Sequence, residues 1–295
     1  MRELGKYVLD YQGERNVASR RSLFERLGRH TKLVLAPFGQ AVLLVSTDDR
    51  EVGRTVFVRG DYERSHLATA VTYLQAHSGF SPSGKVFLDV GANIGTCTVD
   101  ALVHFGFAEA VCFEPDSRNF KLLRANILLN DLDRRASLHQ VALSDRDSLG
   151  VLEYSPDNFG DTRLLTSPEG ASGTSAMEEV QCVRLDSLVK EGTIPLERVG
   201  LVWIDTQGHE ALVLGGASSL MDAGVPMVAE YWPDGLGARG TADLEELIKG
   251  NFQRVVDLGL LIHGLEGGAV LEADQIGKLR HRYKVGEHTD LLLIS

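Results

Sequence analysis

The sequence predicts an α/β architecture, a largely parallel sheet with helices on both faces. Two observations predict it. Short continuous apolar runs, the mark of buried strands, alternate with segments of helical apolar spacing. The first strong run, Val86–Val90, ends in a turn carrying Gly91 and Gly95, where a ligand crevice opens in such sheets. With 295 residues, 43% hydrophobic and 24% charged, the chain can bury a large core without staples.

The elements follow in order. Val17, Leu23, Phe24 and Leu27 stand at helical spacing. Leu33–Leu35, Ala41–Val45 and Thr55–Val58 read as a small β-meander, and Glu63–Gln75 as a helix. Ser81-Pro82-Ser83-Gly84 is a turn and marks a boundary. Residues 1–84 are therefore expected to form an N-terminal extension, and residues 85–295 the main domain. In the latter, strand Val86–Val90 leads into a helix reaching about His104, and Ala110–Phe113 is the next strand. Asp116 is an N-cap for a helix whose face carries Phe120, Leu123 and Ile127. His139–Leu143 is a third strand. Val151–Tyr154 and Val180–Leu185 form a hairpin inserted at about 150–185, with a long Ser/Gly/Thr loop, Ser155–Met177. Such loops often act as lids, and Asn158–Arg163 is the segment expected to do so. Leu201–Ile204 is a strand, Glu210–Leu220 a helix, Pro226–Ala229 a strand and Pro233–Gly240 a flexible connector. Phe252–Asp257 and Asp290–Ile294 close the sheet as an antiparallel pair with no evident helix between them.

Net charge is −11, which disfavours non-specific nucleic-acid binding. The basic island Lys278–Lys284 reads as solvated surface. Cys97, Cys112 and Cys182 are odd in number and widely spaced, as in a reducing compartment, and read as packing residues. The N-terminus lacks a signal-peptide core, and no run of about 18 apolar residues occurs. The expected location is the cytoplasm, with no membrane partner. Oligomeric state is open.

The chemistry gathers at the strand ends. Gly91 and Gly95 permit a tight turn and close backbone approach to a ligand, with helix N–H groups pointing into the same crevice. Glu114 follows Gly91 at about the spacing of a ribose-binding acid. Together they indicate a nucleoside-containing cofactor. The dinucleotide pattern G-x-G-x-x-G fails, because Asn93 and Thr96 occupy its second and third places.

Asp89-x-Gly91-x-Asn93-x-Gly95 instead resembles the cofactor loop of class I S-adenosylmethionine-dependent methyltransferases. Phe87–Gly95, Phe113-Glu114-Pro115, Val141-Ala142-Leu143-Ser144-Asp145 and Ile204–Ala217 together resemble the FkbM-type family of these enzymes. The last segment is similar to that family's Ile-Asp-x-x-Gly-x-Glu-x-x-Val-Leu-x-Gly-Ala signature. The resemblance runs from about Thr55 to Trp232. It implies a Rossmann-like fold, S-adenosyl-L-methionine as methyl donor, and O-methylation of a hydroxyl on a sugar, glycan or specialised metabolite. Thr206-Gln207 depart from the Val-Glu of many members and remove one carboxylate. The residues expected to bind cofactor are Asp89, Gly91, Ala92, Asn93, Gly95, Thr96, Glu114, Pro115 and Ala142, with Glu63 of the Asp61-Tyr62-Glu63 segment closing over it.

Asp205 and His209 are the candidate catalytic residues, since an alcohol nucleophile must be positioned and deprotonated. His209 is the better base by intrinsic pKa. Glu210 braces the turn, and Glu230 is a second carboxylate on the rim. A metal is not expected. A divalent ion shared by Asp205 and Glu230 is the competing account. Two other functions fit the same crevice, a nucleotide-dependent oxidoreductase and a catalytically silent cofactor-binding scaffold.

Overall fold

The computed structural model describes residues 17–154, 162–165 and 177–295. The N-terminal part comprises α1 (Val17–Leu27), the antiparallel hairpin β1 (Leu33–Phe38) and β2 (Ala41–Ser46), α2 (Val52–Arg59) and α3 (Arg64–Ser78). Alternation then begins: β3 (Val86–Val90), α4 (Thr96–Val103), β4 (Glu109–Phe113), α5 (Ser117–Leu129) and β5 (Ala136–His139). An insertion follows with β6 (Ala142–Leu143), β7 (Ser148–Glu153), β8 (Arg163–Leu165) and β9 (Met177–Val183), in sheet order β6-β9-β7-β8. The chain returns through α6 (Leu185–Lys190), β10 (Val199–Ile204), α7 (Glu210–Gly215), α8 (Ser218–Asp222) and β11 (Met227–Tyr231). It ends with α9 (Pro233–Asn251), β12 (Arg254–Asp257), α10 (Leu258–Ile262), β13 (Val270–Glu272), the 3-10 segment Ala273–His281 and β14 (Thr289–Ile294).

The main sheet runs β13-β12-β14-β11-β10-β3-β4-β5. Its β11-β10-β3-β4-β5 portion is parallel. β14 pairs antiparallel with both β11 and β12, the closing pair expected from the sequence. Successive residues of the central strands feed opposite core layers. Phe87, Leu201 and Trp203 join one, while Val86, Leu88, Val90, Val202 and Ile204 join the other. Burial on both faces explains why these strands read as continuous apolar runs.

The N-terminal part shares a core with the rest. Phe24, Phe38, Leu43, Val56 and Leu67 lie in the same cluster as Phe87, Leu123 and Trp203. Asn126 of α5 and Asn130, which caps its C-terminus, also hold β2. Asn130 Oδ1 accepts the Val42 N–H at 3.0 Å, and its Nδ2 donates to the Val42 carbonyl at 2.7 Å. Asn126 does the same for Leu44, at 2.6 and 3.2 Å, and also donates to the Ile94 carbonyl at 2.8 Å.

Several expectations are corrected. Thr55–Val58 lies in helix α2 rather than a strand. Asp49 accepts the N–H groups of Glu51 and Gly53 at 3.0 and 2.8 Å, satisfying donors of the first turn, and Val52 and Val56 bury one turn apart. The third strand ends at His139, and Ala142–Leu143 instead pair with Cys182–Val183 in the second sheet. Glu210–Leu220 is two short helices. Gly216 approaches the Ser144 carbonyl so closely that a Cβ there would stand 2.2 Å from the oxygen, and the helix breaks at this contact. Pro233–Gly240 begins helix α9, because proline is pre-set for a helical first turn and Gly237, at φ 69°, absorbs the kink. Between the closing strands lies the short α10, capped by Asp257, which accepts the Leu260 N–H at 3.2 Å. Of the proposed lid, Asn158–Asp161 lie outside the described residues, as does most of Ser155–Met177, whereas Arg163–Leu165 forms β8 on the open side of β7. The basic island is partly neutralised from within, since Arg280 pairs with Glu245 at 2.6 Å and Arg282 with Asp257 at 3.1 Å. Among the described residues, no helix is long and apolar enough to cross a membrane.

Candidate active site

The carboxyl ends of β3, β4 and β10 enclose a crevice of about 610 Å³, counting the space open to solvent. The turn after β3 forms its floor. Gly91, at φ 86°, lies so close to β10 that a Cβ would meet the Asp205 carbonyl oxygen at 1.8 Å. Its N–H and that of Ala92 donate to the Phe113 carbonyl at 2.9 and 3.0 Å, fastening the turn to β4. Asn93 takes a left-handed conformation, φ 50°, and donates its N–H to Glu114 Oε2 at 2.8 Å. Glu114 Oε1 accepts the Asp116 N–H at 2.8 Å. Each Glu114 oxygen therefore binds one backbone donor and keeps acceptor capacity. Burial pushes this carboxyl up to about 8, against the two backbone hydrogen bonds that lower it.

Gly91, Asn93, Glu114, Pro115, Ala142, Asp205 and His209 all line the crevice. The structure brings these expected residues together. Ala92, Gly95 and Thr96 shape the turn and helix start without lining it. Asp89 sits behind the turn, buried, with the Thr98 hydroxyl donating to it, and burial pushes its carboxyl up to about 7. Glu63 precedes α3 at φ 58° with its Oε2 4.0 Å from Cys97 Sγ, and burial followed by the charge of Asp205 raises its carboxyl.

Asp205 caps the far wall. Its N–H continues the ladder to the Val90 carbonyl at 3.0 Å, and its Oδ1 accepts Gln207 Nε2 at 2.7 Å. Burial raises its carboxyl, and the Gln207 bond opposes the rise. Glu210 clamps the following turn, accepting the Thr206 N–H at 2.9 Å and the Gly208 N–H at 3.1 Å. His209 is buried, with its Nε2 3.0 Å from Ser144 Oγ, and desolvation pushes its imidazole down to about 4. It is therefore held neutral.

Of the outer wall, only Thr162, within the expected lid segment Asn158–Arg163, was read from the sequence. Leu152 of β7, Thr162 just before β8, Leu164 of β8, and Asn119 of α5 line the crevice. The insertion is anchored where the Thr162 hydroxyl donates to Asp116 at 3.0 Å and Ser117 to Glu178 at 3.0 Å. The apolar pair in Arg163-Leu164-Leu165, inside a polar stretch, is the signal that points to β8. Ser144 stands in the quoted Val141–Asp145 segment, but nothing in the sequence pairs it with His209.

Residues 89–231 match the family model described as the Methyltransferase FkbM domain. The chain is 31% identical over 157 residues to "2-O-methyltransferase NoeI" of Sinorhizobium fredii, covering 50% of this chain and 63% of that protein. It therefore spans less than two thirds of that relative's length. It is 25% identical over 190 residues to "Methyltransferase sdnD" of Sordaria araneosa, covering 56% and 73% of the two chains. A crystal structure of methyltransferase FkbM from Methylobacillus flagellatus superposes with a TM-score of 0.44 at 15% identity, over 76% of this chain and 47% of that one.

Proposed function

From the premise that this chain carries an FkbM-type methyltransferase domain, we propose that it transfers a methyl group from S-adenosylmethionine to a hydroxyl of a small molecule or glycan. The observation that carries this reading is Glu114, a carboxylate at the end of β4 with both oxygens oriented by backbone donors and turned to the crevice.

The residues present fit the cofactor. Glu114 has spare lone pairs for a ribose diol. Asn93 Oδ1 is buried and accepts no hydrogen bond among the described residues, so it offers an acceptor to a ligand donor. Pro115, Ala142, Leu152 and Leu164 give an apolar slot suited to adenine. When bound, S-adenosylmethionine supplies an electrophilic methyl group. The chain's own part is positioning, water exclusion and handling one proton. Glu114 and Asn93 hold the nucleoside, and Gly91 allows close approach. Ala92, Gly95 and Thr96 support that turn, with Asp89 behind it and Glu63 beside it. Asp205 orients the acceptor hydroxyl and takes its proton. His209, neutral and bonded to Ser144, positions the Asp205 turn rather than acting as the base.

Of the expected extension, residues 17–84 serve this reading by bracing the methyltransferase sheet that begins after residue 84. The relative's printed name, a 2-O-methyltransferase, supports a hydroxyl as the target. The buried, unpaired Cys97, Cys112 and Cys182 support a cytoplasmic location.

Calorimetry with S-adenosylhomocysteine, NAD and NADP tests the cofactor. Selective binding of the first is expected, and selective NAD(P) binding would overturn it. A methyl-label transfer screen over glycosides and aglycones, read by mass spectrometry, tests the reaction. Label appearing only on amines or carbon would overturn the hydroxyl assignment.

A further inference from the structure

The far side of Asp205 carries a charge problem that the proposed chemistry leaves unsolved. Asp205 ends β10, Glu210 opens α7 and Glu230 lies near the end of β11, and one carboxylate oxygen of each lies within 4.8 Å of the others. Glu63 and Asp290 add charge of the same sign nearby, Asp290 as the β14 partner of Glu230. Among the described residues, no Lys or Arg forms an ion pair with Asp205, Glu210 or Glu230. Among the described residues, the basic side chain paired with this cluster is His288, whose Nε2 lies 3.8 Å from Glu230 Oε1 and whose side chain is 59% exposed.

Glu230 supplies a separate observation. The residue is only 7% exposed, and its Oε2 is sealed from solvent with no hydrogen-bond partner among the described residues. A buried carboxylate oxygen left unpaired is costly, and close like charges add to the cost. Three other buried acids of this site have donors: Asp89 has the Thr98 hydroxyl, Glu114 two backbone N–H groups and Glu210 the Thr206–Gly208 turn. Among the described residues Glu230 has no such donor, yet one of its oxygens lies in a cluster whose other members are already oriented. Gln207 holds Asp205 by Oδ1, and among the described residues no hydrogen bond is made to Oδ2.

We propose that Asp205, Glu210 and Glu230 form a binding site for one divalent cation. The donors are all carboxylate oxygens, which select a hard ion such as Mg²⁺ or Mn²⁺ over a thiophilic one. Three carboxylates leave coordination positions for water and for an acceptor oxygen. Asp205 is the partly exposed member and lines the crevice, so those open positions face the place where an acceptor would lie. This last assignment rests on the proposed methyl transfer. The ion site itself does not.

Mn²⁺ titrated into the metal-free 295-residue chain, followed by loss of the free-ion electron paramagnetic resonance signal, tests the site. One bound ion per chain is expected, competed by Mg²⁺. Glu230→Gln should weaken Mn²⁺ by at least roughly tenfold, since even outer-shell changes cost that much. The exposed substitution Glu191→Gln should leave Mn²⁺ affinity unchanged. Circular dichroism and S-adenosylhomocysteine calorimetry report whether each variant is folded. No Mn²⁺ binding at millimolar concentration, or binding that folded Glu230→Gln retains in full, overturns the site. If Glu230→Gln fails to fold, Asp205→Asn takes its place with the same expected loss. Mn²⁺ binding without S-adenosylhomocysteine binding would sink the methyltransferase reading and leave the ion site standing. The converse result would sink the ion site alone.

Discussion

Replacing Glu114 with glutamine separates the carboxylate's charge from its shape. Both oxygens are already committed, Oε2 to the Asn93 N–H and Oε1 to the Asp116 N–H, each at 2.8 Å. A glutamine has only one oxygen. Whichever way its amide turns, an NH₂ group must face a backbone N–H. Leaving one buried backbone donor without an acceptor costs about 1–3 kcal/mol of stability. The ribose loses a charged acceptor as well, worth about 1.5–3 kcal/mol, so affinity for S-adenosylhomocysteine should fall roughly tenfold to a hundredfold. The pH dependence adds a second signature. Burial holds the free carboxyl at about 8, and hydrogen bonds from ribose favour its charged form. Binding then releases a proton, so wild-type affinity should rise with pH up to about 8 and level off above it. The glutamine variant should lack that rise. Calorimetry in buffers of different ionisation enthalpy reads both the affinity and the proton count. An unchanged dissociation constant in a folded Glu114→Gln protein would refute the reasoning.

Asp205→Asn should lower turnover by about 10²–10⁴ while S-adenosylhomocysteine affinity changes little, as initial rates and calorimetry would show. Gly91→Ala should destabilise strongly, because the left-handed backbone alone costs about 1–3 kcal/mol and the new Cβ would collide with the Asp205 carbonyl; urea unfolding measures it. His209 is held neutral with its pKa pushed down to about 4, below the unfolded value, so its contribution is intact above about pH 6.5 and is lost as pH falls toward 4. The stability difference between wild type and His209→Gln should therefore shift against wild type by up to about 3 kcal/mol over that window, and a flat difference in urea unfolding would refute the buried neutral state.

The parallel core of the fold was legible because its strands are buried on both faces. Val86–Val90 and Leu201–Ile204 read directly as apolar runs, and the crevice follows from where they end. Asp116 was readable as a cap because capping is local. What escaped depends on contacts distant in sequence. Thr55–Val58 has strand composition, and only the Asp49 cap and its packing make it a helix. The break at Gly216 exists because the Ser144 carbonyl occupies the space a side chain would need. Glu230 was legible as a second carboxylate on the Asp205 rim, but Glu210 read only as a brace of the turn, and the adjacency of β10 and β11 is what gathers all three. His209 shows the same limit for chemistry, since only the folded surroundings bury its imidazole and push it down to about 4.

The paired amides of Asn126 and Asn130 also act as a ruler. A helix rises about 6.0 Å over four residues, and a strand advances about 6.6–6.8 Å over two. Residues 126 and 130 can therefore meet residues 44 and 42 one for one, with the helix standing in for a missing neighbouring strand. This match measures off the position of β2. Sliding the strand by one residue would present Leu43, a core side chain, to the amides and turn the polar-facing backbone of Leu44 inward. It also fills hydrogen-bonding groups at an edge that another extended chain could otherwise use. A hairpin that would be marginal alone is thus both indexed and closed to strangers by two side chains from the domain it braces.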